Sequence, residues 1–165
     1  MKRSNSSMQL TRAADYGVRV MIQLALPEGG GRVSLPDLAR ATGSPESFLS
    51  KVLQALAHAG LISSRRGQAG GFRITQRGRE SSMREVIEAT DGPIFLNVCL
   101  MQGRCCSRKA HCPAHPVWVR AQEAMSGVLS GITIAEMASQ AQPASAPHRL
   151  VAEAALHARP KSTAH

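Results

Sequence analysis

Aromatic residues are scarce in this 165-residue chain: one Trp, one Tyr and three Phe, 3% in all. Proteins that grip single-stranded nucleic acid stack its bases on several exposed rings, so the composition argues against that mode. No apolar run approaches ~18 residues, the length a membrane-spanning helix needs. The opening MKRSNSS is polar and lacks the apolar core of a secretion signal, so secretion is not indicated. Cysteine is absent outside residues 99–112, and no disulfide framework stapling distant segments is expected. Enzyme signatures are missing too. There is no Ser/His/Asp arrangement, paired-carboxylate motif or cofactor loop. His111 and Cys112 as a nucleophile pair would need an oxyanion site that the sequence does not offer.

Acidic residues are also few, 11 against 20 Lys and Arg, for a net charge of +9. The excess is uneven: residues 1–80 carry +7 and residues 81–165 only +2. Such a balance favours a polyanionic partner, most simply nucleic acid, and the few aromatics point to duplex DNA. Apolar residues make up 43%, enough for a core.

The periodicity gives an order of elements. Ala14, Val18, Met21, Ile22, Ala25 and Leu26 follow helical spacing behind a Thr11 cap, ended by Pro27 and Gly29–Gly31. Ser34 caps a short helix over 35–41 that Gly43 stops. Ser44 is expected to cap the next helix, with Pro45 at its first position, an apolar stripe of Phe48, Leu49, Val52, Leu53 and Leu56, and Gly60 as its stop. Two helices around a tight Gly turn form a helix-turn-helix. Strands over 61–64 and 72–75 enclose the turn Arg65-Arg66-Gly67-Gln68-Ala69-Gly70-Gly71, a basic wing. A short helix over 83–89 follows. After the cysteines, Val117, Ala121, Met125, Val128 and Ile132 mark a long helix suited to packing against a partner. Thr133 caps a last helix over 134–138.

The expected fold is therefore mainly α: a winged helix-turn-helix with a short two-stranded wing and a long dimerisation helix. The expected divisions are a disordered lead (1–7), a DNA-binding domain (8–80), a cysteine loop with the dimerisation helix (81–140), and a disordered Ala/Pro/Ser/His-rich tail (141–165).

The second helix of the pair turns Glu46, Ser47, Ser50, Lys51 and Gln54 outward. Ser bonds base edges or phosphates, Lys suits guanine or phosphate, and Gln reads adenine. Arg65 and Arg66 suit a phosphate or a narrow minor groove. Gly67, Gly70 and Gly71 permit positive φ and close approach in the wing. A nucleotide-phosphate loop is not expected, because no Gly-Lys-Ser/Thr follows.

The cysteine segment reads CLMQGRCCSRKAHCPAH, from Cys99 through Cys105, Cys106, His111 and Cys112 to His115. Thiolates suit zinc or iron–sulfur clusters. Arg104, Arg108 and Lys109 offset the negative charge of a thiolate-bound group. The only tight zinc-knuckle spacing is Cys112-x₂-His115, and the wider gaps suit a larger inorganic core. A redox pair of thiols, with vicinal Cys105–Cys106, is the other reading.

Residues 8–19 (MQLTRAADYGVR), 53–62 (LQALAHAGLI), Arg66-Gly67 with Gly70-Gly71, the cysteine loop and 133–137 (TIAEM) together resemble the Rrf2 family of bacterial winged-helix regulators, which includes IscR, NsrR and RirA. The likeness spans roughly residues 8–140. It implies a cytoplasmic, dimeric transcription factor reading a near-palindromic DNA site, with a two-iron or four-iron cluster that reports iron, redox or nitric oxide stress. By the same likeness Cys99, Cys106 and Cys112 are the three thiolate ligands, and Cys105 is an extra thiol that fits the first gap of some relatives. His115 matches the histidine ligand of one branch. Asp15 matches the aspartate that another branch supplies from the opposite subunit. Ser47, Ser50 and Lys51 fall at base-reading positions and Arg66 at the wing arginine. Ser50 and Lys51 stand where IscR has Glu and Gln, so operator preference does not carry over. A cluster-free regulator governed by thiol oxidation or metal-ion binding is the alternative.

Overall fold

The computed structural model describes residues 10–26, 31–67, 69–101 and 106–141. The expected lead, the expected tail from residue 142 on, and Cys105 lie outside them. The elements run α1 (Arg12–Ala25), α2 (Leu35–Thr42), α3 (Glu46–His58), β1 (Ile62–Arg65), β2 (Gly71–Ile74), α4 (Gln76–Glu80), α5 (Met83–Asp91), α6 (His115–Ser130) and α7 (Ile134–Gln140). Short 3-10 turns at Val98–Leu100 and Lys109–His111 punctuate the cysteine loop. Among the described residues no helix is long and apolar enough to cross a membrane.

Helix ends follow the capping chemistry. The Thr11, Ser34 and Thr133 side chains accept from Ala13, Asp37 and Glu136 N–H at the starts of α1, α2 and α7. Thr133 and Ser82 each complete a capping box, with Glu136 and Glu85. The Thr133 backbone N–H, and then its hydroxyl, hold the Glu136 carboxyl below its ordinary pKa. Gly43 closes α2 in the left-handed region, at φ +64°.

α3 departs from expectation at its start. Pro45, not Ser44, is the cap residue, and no side chain caps this helix. Ser44 is buried and turned back on α2, where its hydroxyl accepts from the Thr42 hydroxyl at 2.9 Å. Leu49, Val52, Leu53 and Leu56 are buried as the stripe requires, but Phe48 is 39% exposed.

α1 is the hub. It packs against α2, α3, α5 and α7, and Val20, Met21, Leu24 and Ala25 join Leu38, Leu49, Leu53, Leu56, Val86, Ile134 and Ala138 in one core. Its ends are fastened as well. The Thr11 hydroxyl donates to Asp91 at 2.6 Å, and Arg79 donates to the Ala25 carbonyl at 3.0 Å.

The antiparallel β1–β2 pair registers Ile62 with Ile74 and Arg65 with Gly71. Val33 adds a bridge to Phe72 through two 2.9 Å backbone bonds that the sequence did not signal. α4 was likewise unexpected. It is one turn capped by Thr75, whose hydroxyl donates to the Gly60 carbonyl at 2.8 Å and accepts from Gly78 N–H at 2.9 Å. α5 runs on to Asp91, past the expected stop at Ala89. The long helix ends at Ser130, so Ile132 is not on it. The Ile132 carbonyl instead accepts from Met83 N–H, and Ile134 N–H donates to Ser81, pairing the starts of α5 and α7.

Gly78 sits where α4 presses on the chain entering β1. A Cβ there would lie 2.0 Å from the Leu61 carbonyl oxygen and 2.9 Å from the Ile74 side chain. Alanine would gain about 1 kcal/mol of helix propensity, but the backbone would have to move. Gly78→Ala is expected to cost about 1–3 kcal/mol net and to lower Tm in a thermal melt. An unchanged or raised Tm contradicts this packing.

Candidate DNA-reading surface and cysteine pocket

Two sites emerge. The first is the outer face of α3 with the wing. Burying Leu49, Val52, Leu53 and Leu56 against the core leaves Glu46, Ser47, Lys51 and Gln54 exposed and Ser50 half-buried. Arg65, the last residue of β1, and Arg66 in the turn are exposed, as is Arg73 on β2. Among the described residues the ion pairs are Asp15–Arg19, Asp37–Arg40 and Arg84–Glu88, so Lys51, Arg65 and Arg66 stand outside them.

The base of the wing is tied down. Arg32, which sequence reasoning passed over, donates to the Ser63 and Gly71 carbonyls at 3.3 and 3.1 Å, one on each strand. Gly71, at φ +130°, lies so close to Val33 that a Cβ would sit 2.6 Å from its carbonyl oxygen. Arg77 donates to the Ala59 carbonyl at the end of α3. Recognition helix and wing are thus held to one frame.

At the start of α2 the Ser34 hydroxyl donates to Asp37 at 2.6 Å. That bond, with the Arg40 guanidinium, holds the Asp37 carboxyl below its ordinary pKa. Tyr16, half-buried on α1, meets Phe48 edge to face with centroids 5.6 Å apart. This contact accounts for the partly exposed position of Phe48.

The second site is a cavity of about 340 Å³ lined by Cys99, Cys106, Cys112 and His115, with Asn97, Lys109 and Trp118 among its other walls. Local turns bring these residues together. Lys109 N–H donates to the Cys106 carbonyl, and His115 N–H to the Cys112 carbonyl, each at 3.0 Å. His115 opens α6 and Trp118 follows one turn later, on the same side of the helix. Ala114 offers no side-chain cap, so the positive end of the α6 dipole is left next to the thiols.

Cys99, Cys106 and Cys112 are half-buried free thiols. Among the described residues, His115 Nδ1 is buried without a hydrogen-bond partner. A buried polar atom left unsatisfied has a free-energy cost, and the residue that carries it lines the thiol cavity, where an imidazole is a suitable metal ligand. Soft thiolates and one imidazole form a ligand set compatible with an iron–sulfur group, and the neighbouring Lys109 would offset its negative charge. Among the described residues no three Cys, His, Asp or Glu side chains lie close enough to share a single ion. Asp15 is not part of this wall; its carboxylate bonds Arg19 at 2.9 Å.

The unpartnered Nδ1 generates a stability prediction. In reduced, metal-free protein His115→Leu is expected to be neutral or stabilising by up to about 1–2 kcal/mol, read as an unchanged or raised Tm. A clear fall in Tm would show that Nδ1 is satisfied in the folded chain.

Comparison with known proteins agrees with this architecture. The profile of the Rrf2 family, described as an iron-dependent transcriptional regulator, matches residues 10–140. The chain is 32% identical over 130 residues to the HTH-type transcriptional regulator IscR of Klebsiella pneumoniae (strain 342), with 79% of each chain covered. Among solved structures, CymR, the global cysteine regulator of B. subtilis, superposes with a TM-score of 0.64 at 26% identity, covering 81% of this chain and 98% of that one. IscR of T. potens gives 0.63 at 27% identity, covering 84% and 92%. The winged helix, its basic reading face and the sequence match lead to one conclusion: the chain belongs to the Rrf2 family of DNA-binding transcriptional regulators and is not an enzyme.

Proposed function

We propose that this regulator is a homodimer in the bacterial cytoplasm whose operator affinity is set by an iron–sulfur cluster held by Cys99, Cys106, Cys112 and His115. The observation that carries the reading is the one cavity that these four residues line, beside a His115 Nδ1 that is buried and has no partner among the described residues. When bound, the cluster supplies a group whose charge and redox state respond to iron, oxidants or nitric oxide.

The chain's own residues do the rest. Cys112 and His115 sit at the start of α6, so a change in how they are held acts directly on that helix. Val117, Ala121, Ala124 and Val128 form a strip along α6 at spacings of four, three and four, and Val117 and Val128 are 64% and 75% exposed. This apolar strip, flanked by Arg120 and Glu123, suits burial against the same strip of a second copy. In such a dimer a shift of α6 alters the spacing of the two α3 helices, and half-site spacing sets affinity. Ser47, Ser50 and Lys51 read bases, while Arg65 and Arg66 grip the backbone or minor groove.

A second reading is a cluster-free regulator controlled by thiol oxidation or a metal ion. It is favoured by the similarity to CymR, whose Staphylococcus aureus form has been solved oxidised, at 26% identity and a TM-score of 0.64.

Anaerobic purification separates the two readings. The expected protein is coloured and contains iron and acid-labile sulfide, and Cys99→Ser or His115→Ala lowers both while Asp15→Ala does not. A colourless protein with zinc and no sulfide overturns the cluster reading. For DNA, Arg66→Ala is expected to weaken binding across sequences and to reduce the salt slope by about 1. Lys51→Ala is expected to change which sequences are selected from a random duplex pool. Equal loss for every sequence with Lys51→Ala would assign that residue to phosphate.

A further inference from the structure

We infer that Gln122 is a positioning residue for the cysteine pocket, fixing the chain that carries Cys99 to the helix that carries His115. The inference rests on the reading of that pocket as the sensory site. The Gln122 carboxamide makes a two-point contact with the backbone: its oxygen accepts from Leu96 N–H at 2.9 Å, and its NH₂ donates to the Ile94 carbonyl at 2.9 Å. In an extended chain the carbonyl of one residue and the N–H of the residue two further on face the same side, so a planar carboxamide pairs with both, as a neighbouring strand would. The remaining amide proton is directed at Ser126 Oγ, at 3.3 Å, which sets the orientation of the carboxamide.

Among the described residues no backbone–backbone bond holds Pro93–Leu96, so Gln122 is what fastens this stretch. Immediately beyond it, Asn97 Oδ1 accepts from Val98 N–H at 2.7 Å and starts the Val98–Leu100 turn, which packs on α6 and contains Cys99. His115, Trp118, Gln122 and Ser126 follow at spacings of three, four and four, and so share one face of α6, roughly opposite the strip of Val117, Ala121, Ala124 and Val128. The seven residue steps from His115 to Gln122 rise about 10.5 Å along the helix. α6 is therefore a rigid edge with the pocket's imidazole at one end and the anchor of the Cys99 arm further along. Cys112 reaches the same helix by its own turn and does not depend on the carboxamide.

Gln122→Met keeps the length and apolar stem of the side chain but forms neither bond. Gln122→Glu still accepts from Leu96 N–H but sets a carboxylate against the Ile94 carbonyl. In the reduced, metal-free full chain both variants are expected to raise the rate of N-ethylmaleimide labelling at Cys99, read by peptide mass spectrometry, by about tenfold through local opening. Labelling of Cys112 is expected to stay within about twofold of wild type, because its turn does not open with the Cys99 arm. Wild-type rates at both thiols in Gln122→Met, or equal acceleration at both, overturn the proposal.

If the variants fail to fold, hydrogen exchange on the wild-type chain decides instead. The Leu96 amide is expected to be protected although it has no backbone partner, and an unprotected Leu96 contradicts the clamp. Neither readout needs a bound cluster. A wild-type protein without iron and sulfide would therefore end the cluster reading while leaving this test to be scored separately.

Discussion

Ala14, Val20, Met21 and Leu24 on α1 are removed from solvent by helices from both halves of the chain: α2 and α3 before the wing, and α5 and α7 after it. Full burial of a side chain such as Met21 or Leu24 stabilises by about 1.5–3 kcal/mol. Ile134 and Ala138 of α7 belong to the same core as Leu49 and Leu53 of the recognition helix. The candidate DNA-reading face and the segment beyond the cysteines therefore share one close-packed interior, and such interiors resist smooth deformation. Arg79 on the Ala25 carbonyl and Thr11 on Asp91 secure both ends of α1 in that interior.

α6 stands apart from this core. None of its residues is fully buried within the single chain, yet its two faces are chemically distinct. One bears His115, Trp118 and Gln122 toward the cysteine loop, and the other bears the Val/Ala strip. A helix that contacts a thiol pocket on one side and leaves apolar surface open on the other is suited to linking pocket state with assembly. The net charge of +7 in residues 1–80 lies apart from this helix, and in the proposed reading it would hold phosphates at α3 and the wing.

Much of this was readable from residue order because local chemistry dictates it. Thr11, Ser34 and Thr133 cap their helices since each hydroxyl needs only an N–H two or three residues on. Ser44 misled because its hydroxyl is met by Thr42, a contact that burial imposes and spacing does not reveal. Phe48 followed the apolar period but turns to Tyr16, so only its edge position in the stripe distinguished it. α4 has no apolar period in its five residues, and its one signal was Thr75 ahead of Gly78. The Val33–Phe72 bridge, the Arg32 ties and the Gln122 clamp join residues far apart in sequence, where neither periodicity nor motif spacing speaks. The family likeness named Cys99, Cys106, Cys112 and His115 as one ligand set, and the fold places all four on one cavity without showing what they hold. From spacing alone the choice between a cluster and a thiol pair stays open.

The most direct test of the proposed control is the affinity of one protein preparation for a duplex selected from a random pool, measured with the cluster bound and again after its removal, at fixed salt. Coupling of the usual size would separate the two states by about 5–150-fold, and Cys99→Ser would hold the protein at the metal-free value. Equal affinity in both states would contradict control of DNA binding by the cysteine pocket.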